Sequence, residues 1–137
     1  MDYRLMREED IPAMLHFTDD QSTVFTPEQL KTFLGQENSQ GFVAVQDGTI
    51  IGFAYGYVLA KPDGSKTFYV HSVDVMAEYQ GKGHGSRLME AVCGFAQAQG
   101  CSKTFLLTGT DNTAAIRCYE KAGGIRSEKA QYVYTFK

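Results

Sequence analysis

The run Gln80-Gly81-Lys82-Gly83-His84-Gly85 stands between a β-like stretch, Thr67 to Val75, and a helix-like one, Ser86 to Gln99. A glycine-rich turn in that position reads as a phosphate cradle. The first turn of a helix leaves backbone N–H groups unpaired, and aligned peptide dipoles place partial positive charge at the same end. Anions, pyrophosphate above all, bind there. Glycines at 81, 83 and 85 let the backbone approach phosphate oxygens and adopt angles that side chains forbid. Lys82 can add charge from the rim, Ser86 closes the turn, and His84 is expected to contact phosphate.

Such a turn alone is weak evidence, because flexible loops without a ligand look similar. Competing phosphate motifs can be tested directly. The chain contains no P-loop string of Gly, four residues and Gly-Lys-Ser/Thr. A dinucleotide fingerprint belongs in the first βαβ unit of a parallel sheet, with an acidic residue about twenty positions on. Here the turn lies past mid-chain, and the strand-like run Lys103 to Thr108 leads instead to Asp111-Asn112.

Outward from the turn, the pattern alternates strands and helices. Tyr3 to Met6 reads as a first strand, and Glu8 to Phe17 as a helix with Ile11, Met14 and Leu15 on one face and His16 at the surface. Thr26, Pro27 and Gln29 form the start of a second helix with a capping box, which Gly35 ends. Phe42 to Gln46 and Ile50 to Ala60 are joined by Asp47-Gly48, a strong hairpin signal, and Lys61-Pro62-Asp63-Gly64 turns the chain into Thr67 to Val75. After the turn come a helix with Leu88, Val92, Phe95 and Ala96 on one stripe, a strand at Lys103 to Thr108 and a helix from Asn112 to Ala122. The strand and helix alternation there implies a parallel crossover. Gln131 to Phe136 carries Tyr132, Tyr134 and Phe136 on one face and reads as a last strand.

With 137 residues, 43% hydrophobic content and three prolines, the chain suits one domain spanning residues 1–137. No apolar run approaches the ~20 residues of a membrane span, and Asp2, Arg4, Arg7, Glu8 and Glu9 do not suit a secretory leader, so a cytoplasmic protein is expected. Cys93, Cys101 and Cys118 lack metal-ligand spacing; no metal site or disulfide framework is expected. Cys118 beside Tyr119 suggests a covalent acyl route, but no base is readable nearby and a packing role is the better reading. A net charge of −3 argues against a nucleic-acid surface and suits a cationic ligand.

The turn matches the pattern Gln/Arg-x-x-Gly-x-Gly/Ala through Gln80, Gly83 and Gly85, and a second pattern, Asn-x-x-Ala-x-x-x-Tyr followed by Gly, stands as Asn112, Ala115, Tyr119 and Gly123. Together they make the chain resemble the GNAT N-acetyltransferase superfamily over nearly its whole length. Gly124 departs from it, since the family usually has an aromatic residue there. The resemblance implies an α/β fold with a central mixed sheet of six to seven strands, splayed at the acyl-CoA site and flanked by about four helices. It implies acetyl-CoA as donor, held by the turn residues Gln80 to Ser86 and by Asn112, Ala115 and Tyr119. The thioester would lie near Val73, Asp74 and Val75, with the Val75 N–H polarising its carbonyl.

Direct transfer needs a neutral amine, whereas a primary ammonium has a pKa near ~10. The family position for protonating the departing CoA thiolate matches Tyr119. For the base, histidine is the residue type that titrates near neutral pH, which singles out His71, with Tyr69 on the same nominal face and Ser72 and Asp74 on the other. A bulge, usual in this strand of the family, would exchange those faces and leaves the sets unresolved.

The segment Gly56-Tyr57-Val58-Leu59-Ala60-Lys61 is similar to aminoglycoside 3-N-acetyltransferases, a subgroup with an acidic residue close to the place of Ser72. That likeness implies a small cationic amine as acceptor, with Asp19, Asp20, Phe25, Tyr55 and Tyr132 as wall residues. A protein or peptide N-acetyltransferase and a non-catalytic acyl-CoA sensor are the alternatives. Homodimers are common in the resembled family.

Overall fold

The computed structural model describes residues 1–19 and 21–136; the expected wall residue Asp20 lies outside them. Five strands form one sheet in the order β1 (Asp2–Leu5), β2 (Ser39–Gln46), β3 (Thr49–Ala60), β4 (Lys66–Val75), β5 (Thr104–Leu106). The first three pairings are antiparallel and β4–β5 is parallel, as the crossover through a helix requires. Asp47 and Gly48 both take positive φ, 50° and 79°, which matches a two-residue turn to the twist of the β2–β3 hairpin.

Helices cover both faces. On one, α3 (His84–Ala98) buries Leu88, Met89, Val92 and Ala96 against Phe42, Ala44, Ile51, Ala54, Phe68 and Val70. On the other, α1 (Ile11–Met14) and α2 (Pro27–Leu34) bury Met14, Phe17 and Leu30 over Val43, Ile50 and Phe53. The sheet is therefore filled on both sides at its centre, and the C-terminal end of β4 projects beyond that packing. The fourth helix, α4 (Thr113–Lys121), lies against α3. No helix among the described residues is long and apolar enough to cross a membrane.

Three expectations need correction. The helix expected over 8–17 is a 3₁₀ turn, Glu8–Asp10, followed by the short α1. Asp10 causes the break. Its buried carboxylate takes two bonds from Arg4, 2.7 and 2.8 Å, and one from the Arg7 N–H, 2.8 Å, which tightens the first turn. That arrangement, led by the Arg4 bond, holds its carboxyl below the usual range. Second, Gln131–Phe136 forms no strand, and the sheet has five strands rather than six to seven. An alternating pattern yields a strand only where an open edge lies within reach of its backbone. Third, the α2 cap is the Thr26 hydroxyl accepting from the Gln29 N–H, 3.2 Å, and no return bond from Gln29 accompanies it.

Candidate active site

Pairing between β4 and β5 covers only Phe68–Thr104, Tyr69–Phe105 and Val70–Leu106, after which the strands part. On its other side β4 stays paired to β3 as far as Val75–Gly52. The Met76 N–H bonds to the Ile51 carbonyl at 2.9 Å, so Val75–Gly52 is a pair whose own backbone groups do not face each other. The N–H and C=O of Val75 therefore point into the gap left by β5, and by alternation so do those of Val73. An extended ligand chain can pair there as an added strand.

Below the gap lies the glycine turn. Gly81 and Gly83 both take left-handed φ, 78° and 88°, and Gly83 is the residue from which α3 starts. No side chain caps that end, so its N–H groups stay open to an anion. The neighbouring side chains turn inward instead. Gln80 Nε2 donates to the Val75 carbonyl at 2.9 Å, latching the turn to the end of β4. Ser86 Oγ, buried, donates to the Cys118 carbonyl at 3.1 Å and ties α3 to α4. The His84 imidazole was expected on phosphate but is buried, hydrogen-bonded to the Tyr3 hydroxyl at 2.8 Å. Burial holds its pKa below the ordinary histidine value, with Arg87 and Lys82 adding to the effect.

Gly85 is used differently. A Cβ there would stand 2.9 Å from Cys118 Sγ, so this glycine lets α4 approach α3. Burial pushes the Cys118 thiol up, which suits packing and not acyl transfer. The contact also brings the Lys121 ammonium to 3.5 Å from where a Cβ on Gly83 would be. No local motif points to Lys121, since only helix packing carries it to the turn. Asn112 caps α4 through a bond from the Ala115 N–H to its Oδ1, 3.2 Å. Seven residues on, Tyr119 packs at the edge of the α3-side core, and burial pushes its phenol up to about 12, with the charge of Asp74 contributing.

The opposite face of β4 is decided by a bulge. Tyr55 pairs with Ser72 and Gly56 with Val70, leaving His71 as the extra residue. Sequence parity divided Tyr69 and His71 from Ser72 and Asp74. The bulge brings all four together on the face of Phe53, Tyr55 and Tyr57. The His71 ring stacks on Tyr55, centroids 5.4 Å apart, and its Nδ1 lies 3.2 Å from the Tyr69 hydroxyl. Ser72 Oγ donates to Asp74 Oδ2 at 2.6 Å. Gly56 makes this possible, since a Cβ there would fall 2.1 Å from the Tyr69 carbonyl oxygen.

A pocket of about 240 Å³ opens over that face, lined among others by Asp19, Phe25, Tyr55, His71, Ser72 and Asp74. The Asp19 carboxylate accepts the N–H groups of Gln21 and Thr23, and its pKa is lowered, chiefly by the Thr23 side chain. The pocket thus joins an ionised carboxylate and Asp74 to an imidazole in an aromatic wall, an arrangement that attracts a cation and can take up a proton. Tyr132 is not part of it; that side chain is 83% exposed in the chain beyond α4.

Residues 5–124 match the acetyltransferase (GNAT) family. A mycothiol acetyltransferase of Renibacterium salmoninarum is 31% identical over 112 residues, 78% of this chain and 33% of that protein. The N-alpha-acetyltransferase RimI of Mycobacterium tuberculosis is 28% identical over 114 residues, 83% of this chain and 68% of that protein. The chain spans about a quarter to a third of the length of the mycothiol acetyltransferases it matches. In fold it is similar to an aminoglycoside acetyltransferase from an uncultured soil metagenomic sample, solved with sisomicin. That likeness has a TM-score of 0.84 at 20% identity, over 99% of this chain and 96% of the other.

Proposed function

Because the chain belongs to the GNAT acetyltransferase family, whose members take acetyl from acetyl-CoA, we propose that it acetylates a primary amine on a small cationic acceptor, an aminoglycoside 3-amine among the candidates. The observation that carries this reading is the carboxylate and imidazole pocket at the β4 bulge, beside the backbone gap and the uncapped helix start.

The residues present fit acetyl-CoA. The open N–H groups from Gly83 onward, with Lys82 and Lys121, hold the pyrophosphate, and the Val73 and Val75 backbone pairs with the extended arm. Bound acetyl-CoA supplies an activated acyl thioester. Asp19 and Asp74 draw the acceptor ammonium into the pocket, and His71, oriented by Tyr55 and Tyr69, takes its proton directly or through water. The Val75 N–H polarises the acyl carbonyl. Tyr119, with its phenol raised to about 12, stays protonated throughout the neutral range and donates to the leaving sulfur.

A second reading, acetylation of a peptide amine, is favoured by the RimI likeness over 83% of the chain. Acetyl-CoA-dependent thiol release across aminoglycosides, polyamines, amino acids and short peptides separates the two. Turnover on a 2-deoxystreptamine antibiotic supports the first reading, and turnover on peptides alone replaces it with the second. Acetyl-CoA binding with every acceptor silent would sink both and leave an acyl-CoA sensor.

A further inference from the structure

One buried titratable group has no part in the transfer chemistry. His84 is the first residue of α3 and only 9% exposed, with its ring turned inward from the glycine turn. Its backbone N–H nevertheless belongs to the open set. The first N–H of α3 with a partner in the helix is that of Arg87, bonded to the Gly83 carbonyl at 3.2 Å, so the amides of His84, Gly85 and Ser86 precede the helical ladder. The imidazole therefore stands directly behind the amides that face an anion.

Its neighbours come from four elements. From β1 the Tyr3 hydroxyl meets Nδ1 at 2.8 Å, and from the 3₁₀ turn Ala77–Tyr79 the Tyr79 ring stands edge-on, centroids 6.4 Å apart. The charges that bear on it, Arg87 from α3 and Lys82 from the glycine turn, are both positive, and Lys121 of α4 lies beyond Gly83. Burial first, then Arg87 and Lys82, hold the ring below the ordinary histidine pKa. The helix start adds partial positive charge of its own, so the neutral ring prevails as long as no anion offsets these charges.

A pyrophosphate diester on the same amides is dianionic and reverses the sign of that field. The Tyr3 hydroxyl suits either form of the ring: it donates to Nδ1 of the neutral imidazole and accepts from Nδ1–H of the cation. A proton can thus be gained without losing the inward bond. We propose that His84 is a proton-linked positioning residue for the cofactor: when pyrophosphate settles on the turn, the imidazole takes up a proton from water, and the imidazolium held by Tyr3 strengthens binding from behind the amides. The coupling rests on the turn being the pyrophosphate site. By linkage, a ring that titrates at higher pH in the complex than in the free protein gives the greatest affinity at low pH; affinity falls as pH rises between the two values and levels off above them. The two buried-side and pocket-side histidines then pull in opposite directions. His71 must be neutral to take the acceptor's proton, whereas cofactor affinity gains from a charged His84.

Dephospho-CoA is the probe, because its pyrophosphate diester does not titrate near neutrality, whereas the phosphomonoester of CoA does, near pH ~6. Calorimetric titration from about pH 5.5 to about 8.5, in buffers of different ionisation enthalpy, reads affinity and proton uptake together. Affinity should fall about tenfold across that range, with net proton uptake at its middle. His84→Gln, which keeps a hydrogen-bonding partner for Tyr3, should bind without pH slope or uptake. In the native chain the His84 ring-proton resonance should titrate at higher pH in the complex than in the free protein, a reading that does not depend on the variant folding. Binding that is indifferent to pH and takes up no proton overturns the coupling and leaves the pyrophosphate site standing. An unchanged slope in His84→Gln, or an unmoved His84 resonance, overturns it too, since another group then carries the proton. No binding of dephospho-CoA at any pH removes the pyrophosphate reading of the turn, and the coupling with it.

Discussion

The bulge at His71 lies within β4 and the turn at Gln80–Ser86 follows that strand, and the two are made of different parts. At the turn the backbone is the working surface: Gln80, His84 and Ser86 point inward as anchors while the N–H groups face out. At the bulge the backbone only shifts phase, and the working surface is the set of side chains it gathers, Tyr55, Tyr69, His71, Ser72 and Asp74. Removing a side chain at the rim of the turn should therefore cost little, and removing one at the bulge much.

Tyr119, the proposed proton donor to the leaving sulfur, should show the largest effect. Tyr119→Phe is expected to lower kcat by about 10²–10⁴-fold with acetyl-CoA affinity kept; an unchanged kcat would leave it a packing residue. Its phenol is raised to about 12 by burial, so the native protein keeps that stabilisation below the unfolded tyrosine value near ~10 and loses it as pH climbs toward 12. The Phe variant should lack that part of the alkaline fall in melting temperature.

Next comes the bulge itself. Gly56→Ala places a Cβ 2.1 Å from a backbone oxygen, and a destabilisation of about 3 kcal/mol is expected by denaturant titration. A variant of native stability would mean that the register can relax without the bulge. His71→Gln should cost about 10²-fold in kcat at native stability and unchanged acetyl-CoA affinity. A loss that appears only in cofactor binding would erase the distinction between the two regions. Last, Lys121→Ala should raise the acetyl-CoA dissociation constant about two- to fivefold, an effect that shrinks with added salt.

The same contrast explains what could be read from the chain alone. Backbone devices have local signatures. Glycines between a strand and a helix announce the turn, Asp47-Gly48 the hairpin, and Thr26-Pro27 the start of α2. Constellations of side chains have none. Whether His71 shares a face with Asp74 depends on one extra residue in the β3–β4 ladder, and Lys121 arrives at the turn through a glycine-to-cysteine contact between helices. The inward turn of His84 was hidden for a like reason, since its partner is Tyr3 in the first strand. Gln131–Phe136 shows the reverse case, a strand pattern that enters no sheet.

The Tyr3–His84 bond has a kinetic side. Its ends are 81 positions apart, and the contact can form only after that whole segment has closed on itself. Closing so long a loop is entropically unfavourable, and distant pairings of this kind are completed late in folding. The turn thus acquires its inward anchor only once the first strand has docked, although its glycines and the helix behind it are local. The proposed phosphate affinity is on this account a property of the finished chain, and its onset during refolding would time the arrival of the amino-terminal strand.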